Sequence, residues 1–143
     1  MRRVFKVRYG PAMSQLSADD RQAIADVLAR YCRMIDQARW DDFRALFTDD
    51  CRLDFGERMG VHEGAAGVKK FTEMLKATPM LMRHYTVNVT ITGDGSRARA
   101  ESHLLALTGK PGSMVPTTGF YEDELVKVGG RWLLRSRRAS IER

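Results

Sequence analysis

Long apolar runs are missing from this chain. Nothing approaches the ~20 consecutive residues of a membrane-spanning helix, and Leu104 to Leu107 amounts to one buried strand at most. Cysteine is scarce: Cys32 and Cys51 stand in no CxxC or other ligand spacing, which excludes a disulfide framework and makes a reduced, cytoplasmic protein the expectation. The three histidines, His62, His84 and His103, form no HxH or HExxH pattern, so no metal site is expected. Repeats, low-complexity tracts and interdomain linkers are also lacking. A chain of 143 residues makes one domain, large enough to bury a core without staples.

The net charge of +6 is unevenly spread. Residues 1–12 carry Arg2, Arg3, Lys6 and Arg8 and no acid; taking these four from 24 leaves 20 basic residues against 18 acidic ones, a balance of +2. A second concentration, Arg131, Arg135, Arg137, Arg138 and Arg143 against Glu142 alone, reads as a solvated strand. Neither is interleaved with the aromatic or glycine-rich residues that read nucleic acid, so no such partner is expected. The arginines of the leader precede no apolar central region, so it is not expected to be a secretory signal. The expected organisation is a loosely ordered basic leader over 1–13, with Met13 opening a more conventional start, and a single domain over 14–143.

What is present is periodicity. Ser17 caps a helix with Asp19 and Asp20 in its first turn, and Ile24, Val27, Leu28, Tyr31 and Ile35 fall on one stripe. Trp40, Phe43, Leu46 and Phe47 repeat the pattern in a second short helix. A brief strand follows around Cys51 to Phe55, and Gly64 to Gly67 leads into a third helix that stops near Pro79. From Leu81 the period becomes two, with Tyr85, Val87, Val89 and Ile91 alternating with Thr86, Asn88, Thr90 and Thr92. Gly93-Asp94-Gly95 turns the chain into a strand over 97–108, Lys110 to Pro116 reads as a loop, and strands over 117–128 and 132–141 close the sheet.

Helices followed by long antiparallel strands give an α+β fold. Such strands curl, and three N-terminal helices against the concave side make a cone enclosing an apolar pocket. Phe55, Phe71, Leu104, Phe120 and Trp132 are candidates for its lining, with Met74, Met80 and Met82 as an adaptable wall near the mouth. The expected ligand is small and hydrophobic, aromatic or polycyclic.

Three stretches resemble the SnoaL-like branch of the nuclear transport factor 2-like superfamily: YCRMIDQARWDDFRALFTDDCRLDF, MRHYTVNVTIT and GFYEDELVKVGGRWLLRSR. Together they span about residues 16–140. That superfamily includes scytalone dehydratase and other dehydratases, a dehydrochlorinase, steroid isomerases, polyketide cyclases, aromatic-dioxygenase small subunits and non-catalytic proteins, so fold alone does not settle function. The resemblance implies the cone fold, a homodimer, and a cofactor-free elimination run by an Asp–His pair, whose places fall on Asp36 and His84. It also puts Tyr31 and Tyr121 where relatives carry polar groups toward the substrate.

The chemistry is sound for those residue types. Elimination or isomerisation beside an activated C–H bond needs a base that works near neutral pH, and imidazole is one. A carboxylate on one ring nitrogen fixes the tautomer and stabilises the imidazolium that forms. Tyr31 reads equally well as a core aromatic or as a carbonyl-polarising phenol, and Tyr121 as a second donor or as packing. Strict alternation puts His84 with Thr86, Asn88 and Thr90; either this polar row lines the cavity, with Asn88 a further contact, or a bulge re-aims His84, or His84 faces solvent. His103 reads as structural or as the rim of the pocket, and His62 as an exposed loop residue. The expected function is a cofactor-independent lyase or isomerase. The alternatives are a non-catalytic ligand-binding or assembly module and a polyketide cyclase.

Overall fold

The computed structural model describes residues 16–142; the expected leader over 1–13 lies outside them. The elements run α1 (Ala18–Asp36), α2 (Trp40–Arg44), β1 (Phe47–Asp54), α3 (Gly56–Met59), β2 (Val61–Glu63), α4 (Gly64–Lys76), β3 (Leu81–Gly93), β4 (Arg97–Lys110), β5 (Ser113–Val128) and β6 (Arg131–Glu142). The six strands form one sheet in the order β2-β1-β6-β5-β4-β3, antiparallel throughout except for the parallel pair β1–β6. This is an α+β fold with helices packed on a curved mixed sheet.

Three boundaries differ from the sequence pattern. The second helix ends at Arg44 and Phe47 already begins β1. The expected loop over 110–116 is strand apart from a turn at Pro111 and Gly112, because Lys110 pairs with Ser113 and every residue from Gly109 back has a partner on β5. The one-turn helix α3 and the three-residue strand β2 are too short to show a period. His62 on β2, expected to be exposed, is 5% exposed: it lies beside Phe71 (ring centroids 5.3 Å) and its Nε2 is 2.8 Å from the Met59 carbonyl oxygen.

Helix α1 supplies the main inner layer. Ser17 Oγ accepts from the Asp20 N–H, Trp132 Nε1 donates to Asp20 Oδ1 at 2.8 Å, and Ile24, Val27, Leu28, Tyr31 and Ile35 are buried. Opposite them stand Ala98, Ala100, Leu104 and Ala106 of β4, Tyr121 and Leu125 of β5, and Leu134 and Ala139 of β6. Burial along this concave face has a direction. On β5 it runs from Leu125 (0% exposed) through Asp123 and Tyr121 to half-buried Thr117 and then Val115 (63%). The helices thus seal one end of the cone and leave the other open.

A bulge in β3 decides which side chains face in. Between Val87 and Thr90 the strand gains one residue over β4, and Asn88 takes φ 55°. Before the bulge, Met82, His84 and Thr86 face the helices; after it, Ile91 does, opposite buried Ala100. Tyr85 and Val87 are exposed on the outer face, as is Phe120, and Val89 within the bulge is also exposed. Among the described residues, no helix is long and apolar enough to cross a membrane.

Candidate active site

Asp36 is the last residue of α1, and the way that helix ends aims its carboxylate. The Ala38 N–H donates to the Ile35 carbonyl and the Arg39 N–H to the Met34 carbonyl at 2.8 Å, with Ala38 at φ 54°. This is a Schellman closure built on alanine rather than glycine. A carboxylate at a helix C-terminus is opposed by the helix dipole, so Asp36 needs compensating donors, and one residue supplies two. His84 Nδ1 lies 2.6 Å from Asp36 Oδ1, and the His84 backbone N–H donates to Asp36 Oδ2 at 2.9 Å. Strand β3 is a sheet edge, where alternate N–H groups have no ladder partner; Asp36 takes one of them and the imidazole of the same residue.

An ionised carboxylate can only accept, so Nδ1 is the donor of this contact, and in the neutral imidazole the lone pair then sits on Nε2. The two side chains are 15% and 12% exposed, shielded but reachable from the open end of the cone. One turn back on α1 and two residues on along β3, Cys32 Sγ and Thr86 Oγ1 share a hydrogen bond at 3.2 Å. Cys32 is buried, and burial pushes its thiol pKa up.

Deeper still lies a charge that the sequence pattern had assigned to solvent. Arg137 and Asp123 are fully buried and doubly bonded: Nε donates to Oδ1 at 2.7 Å and one terminal nitrogen, Nη2, to Oδ2 at 2.8 Å. The guanidinium is sandwiched between Tyr31 and Tyr121, 4.0 and 3.8 Å from the ring centroids. Burial alone would lower the Arg137 pKa; the charge and hydrogen bonds of Asp123 more than offset it and raise it. Burial likewise pushes both tyrosine hydroxyls above their ordinary value. Arg137 Nη1 has no hydrogen-bond partner among the described residues.

The model of the SnoaL-like domain matches residues 16–138. The chain belongs to the SnoaL-like family. A curated relative from Mycobacterium tuberculosis, itself uncharacterised, is 23% identical over 123 residues, 84% of each chain. A crystal structure provisionally described as a scytalone dehydratase from Novosphingobium aromaticivorans superposes with a TM-score of 0.77 at 23% identity, covering 87% of this chain and 85% of the other. Another from the same organism, provisionally described as an aromatic ring hydroxylase, gives a TM-score of 0.80 at 25% identity over 90% and 95%.

Within this SnoaL-like cone the residues singled out from the sequence fall into three groups. Asp36 and His84 meet, and Leu104 lies near them, opposite Thr86 in the register. Tyr31 and Tyr121 are brought together with each other and with Arg137, in the sealed core. The remainder are scattered. Phe55 and Phe71 stack at 4.7 Å in the corner between β1 and α4, and Trp132 anchors the start of α1. Asn88 and Phe120 leave the expected lining altogether: past the bulge Asn88 Nδ2 reaches His103 Nδ1 at 3.0 Å on the outer face, and the exposed Phe120 packs edge-on against His103.

The buried pair was missed because Arg137 stands in a run of arginines. A signal existed in β5, where Asp123 shares parity with Tyr121 and Leu125; an acid on an apolar strand face demands a buried cation.

Proposed function

We propose that this protein is a cofactor-independent lyase or isomerase that removes a proton from an activated carbon of a small hydrophobic, aromatic or polycyclic substrate. His84 is the base and Asp36 its positioning partner. The observation that carries the reading is the two-point contact of Asp36 with the ring and the backbone of His84. It fixes ring orientation and tautomer together, leaving Nε2 free to take the proton. As the C–H bond breaks, its electron pair becomes the new double bond and the proton passes to Nε2. The imidazolium, stabilised by Asp36, then returns that proton, to a departing hydroxyl as water in an elimination or to another carbon in an isomerisation.

The test needs no knowledge of the natural substrate. Arene-fused cyclic ketones such as 2-tetralone are incubated with the protein in D2O, and exchange of the α-hydrogen is followed by 1H NMR. Exchange above the buffer rate is expected, and His84→Ala should lower it by about 100- to 10,000-fold. Exchange that survives His84→Ala would remove His84 as the base. No exchange with any ketone would replace the enzyme by the non-catalytic ligand-binding module.

A further inference from the structure

The far end of β3 is pinned by its own turn. Asp94 Oδ1 accepts from the Ser96 N–H at 2.8 Å, the Ser96 hydroxyl at 2.8 Å and the Arg97 N–H at 2.9 Å, and the Asp94 N–H donates to the Arg97 carbonyl at 2.9 Å. The register leaving this turn, Gly93 opposite Ala98 and Ile91 opposite Ala100, is therefore set locally. Arg21 Nη1 adds a hydrogen bond to the Ile91 carbonyl at 2.9 Å. Continued back along β3 without interruption, that register sets Tyr85 opposite Ala106 and His84 opposite Leu107. Tyr85 would then face α1, and His84 would stand on the outer face, out of reach of Asp36. The observed pairs are instead His84 with Ala106 and Tyr85 with Leu105.

One residue makes the difference. Between the pairs Val87–His103 and Thr90–Glu101, β3 has two residues, Asn88 and Val89, where β4 has Ser102 alone. A bulge of this kind is built on a left-handed residue, a place that suits glycine. Here Asn88 takes it, at φ 55°. Its side chain is tied down on the outer face: Asn88 Nδ2 donates to His103 Nδ1 at 3.0 Å, and Phe120 holds His103 edge-on with ring centroids 5.0 Å apart. Asn88 stands four residues from His84, about 13 Å along the strand, and its amide and His103 lie on the opposite face of the sheet from the dyad.

We infer that Asn88 and His103 are positioning residues for His84: their contact on the outer face holds the left-handed bulge, and the bulge gives His84 the phase in which it meets Asp36. Between the pinned turn and the dyad the chain carries one residue more than regular pairing can take, and Asn88 is where that residue is absorbed. A β-branched side chain there disfavours the left-handed conformation by roughly tenfold or more. The extra residue must then be taken up as a one-residue slip of the His84 half, because the half beyond the bulge is fixed by Asp94. The inference rests on the proposed function only in making His84 the base; the register it describes stands without any reaction.

The experiment compares variants of the 13C,15N-labelled full chain by three readouts: cross-strand nuclear Overhauser contacts of His84, the His84 Nδ1–H signal of its bond to Asp36, and α-hydrogen exchange of 2-tetralone. In Asn88→Val, contacts of His84 with Leu107 should replace those with Ala106, the Nδ1–H signal should fade, and exchange should drop by about tenfold or more. Asn88→Gly, which adopts the left-handed conformation without a Cβ penalty, should keep the Ala106 contacts and stay within about threefold of the parent rate. His103→Ala at an exposed position removes one hydrogen bond and should lower exchange by about two- to tenfold, with a melting temperature near that of the parent; it carries the test if Asn88→Val does not fold. An Asn88→Val protein with His84 still opposite Ala106, an Asn88→Gly protein as impaired as Asn88→Val, or a His103→Ala protein unchanged in both signal and rate each overturns the inference. A slip to Leu107 in Asn88→Val, with no exchange by the parent protein, would leave the inference standing and remove the proposed reaction. Exchange that is lost in His84→Ala but untouched by Asn88→Val and His103→Ala would do the reverse.

Discussion

Replacing Asp123 by asparagine tests whether the core of this cone is organised around a charge pair. The substitution keeps volume and shape but removes the negative charge facing a fully buried guanidinium. Arg137 has two charge-assisted hydrogen bonds and two tyrosine faces, with no hydrogen-bond partner for Nη1 among the described residues. Without the carboxylate, the desolvation of Arg137 is no longer offset, and breaking a buried pair on one side costs about 3–5 kcal/mol. A domain of this size is stable by roughly 5–15 kcal/mol, so about a fifth or more of the total is at stake. At ~3 °C per kcal/mol the melting temperature should fall by about 10–15 °C. Urea unfolding at pH 7, followed by far-UV circular dichroism, reads the change directly. The double variant Asp123→Leu with Arg137→Met removes both charges and should recover most of the loss, since both desolvation costs vanish together. An Asp123→Asn protein within ~1 kcal/mol of the parent would refute the reasoning, as would a double variant no more stable than the single one.

Three further outcomes follow from the geometry. Asp36→Asn should lower α-hydrogen exchange by about 100- to 10,000-fold, because the amide no longer fixes the His84 tautomer or stabilises its cation; an unchanged rate would separate Asp36 from the chemistry. Ala38→Gly should raise the urea midpoint by an amount equivalent to up to ~1 kcal/mol, since glycine adopts the positive φ of Ala38 without a Cβ penalty; a loss of stability would mean that Ala38 is not strained. Hydrogen bonds from Trp132 first and then Lys127 hold the Asp20 carboxyl below its ordinary pKa. A carboxylate depressed in the folded state contributes stability above its unfolded pKa, about 3.9, and loses it as pH falls through the lower folded value. Acid titration of Trp132 emission in a Trp40→Phe background should report that loss, and Asp20→Asn should abolish the pH dependence of this local term.

Much of the fold was legible from periodicity. The stripe of α1 from Ile24 to Ile35, the cap at Ser17 and the change to a period of two at Leu81 all mark elements that bury one face, and that need writes itself into residue spacing. Asp36 and His84 were legible only through family likeness, because one aspartate and one histidine 48 positions apart carry no spacing rule. Their meeting was decided by tertiary structure. Alternation along β3 is broken by the left-handed Asn88, and a one-residue bulge inverts which side chains face in beyond it. Arg137 shows the same dependence: a bulge between Glu124 and Leu125 sets the phase of β6, and only the packed sheet shows which of its arginines is taken inside to meet Asp123. Local sequence determines what each segment can bury. Register, which long-range pairing alone can set, decides which side chains share the interior of the cone and where that interior stays open.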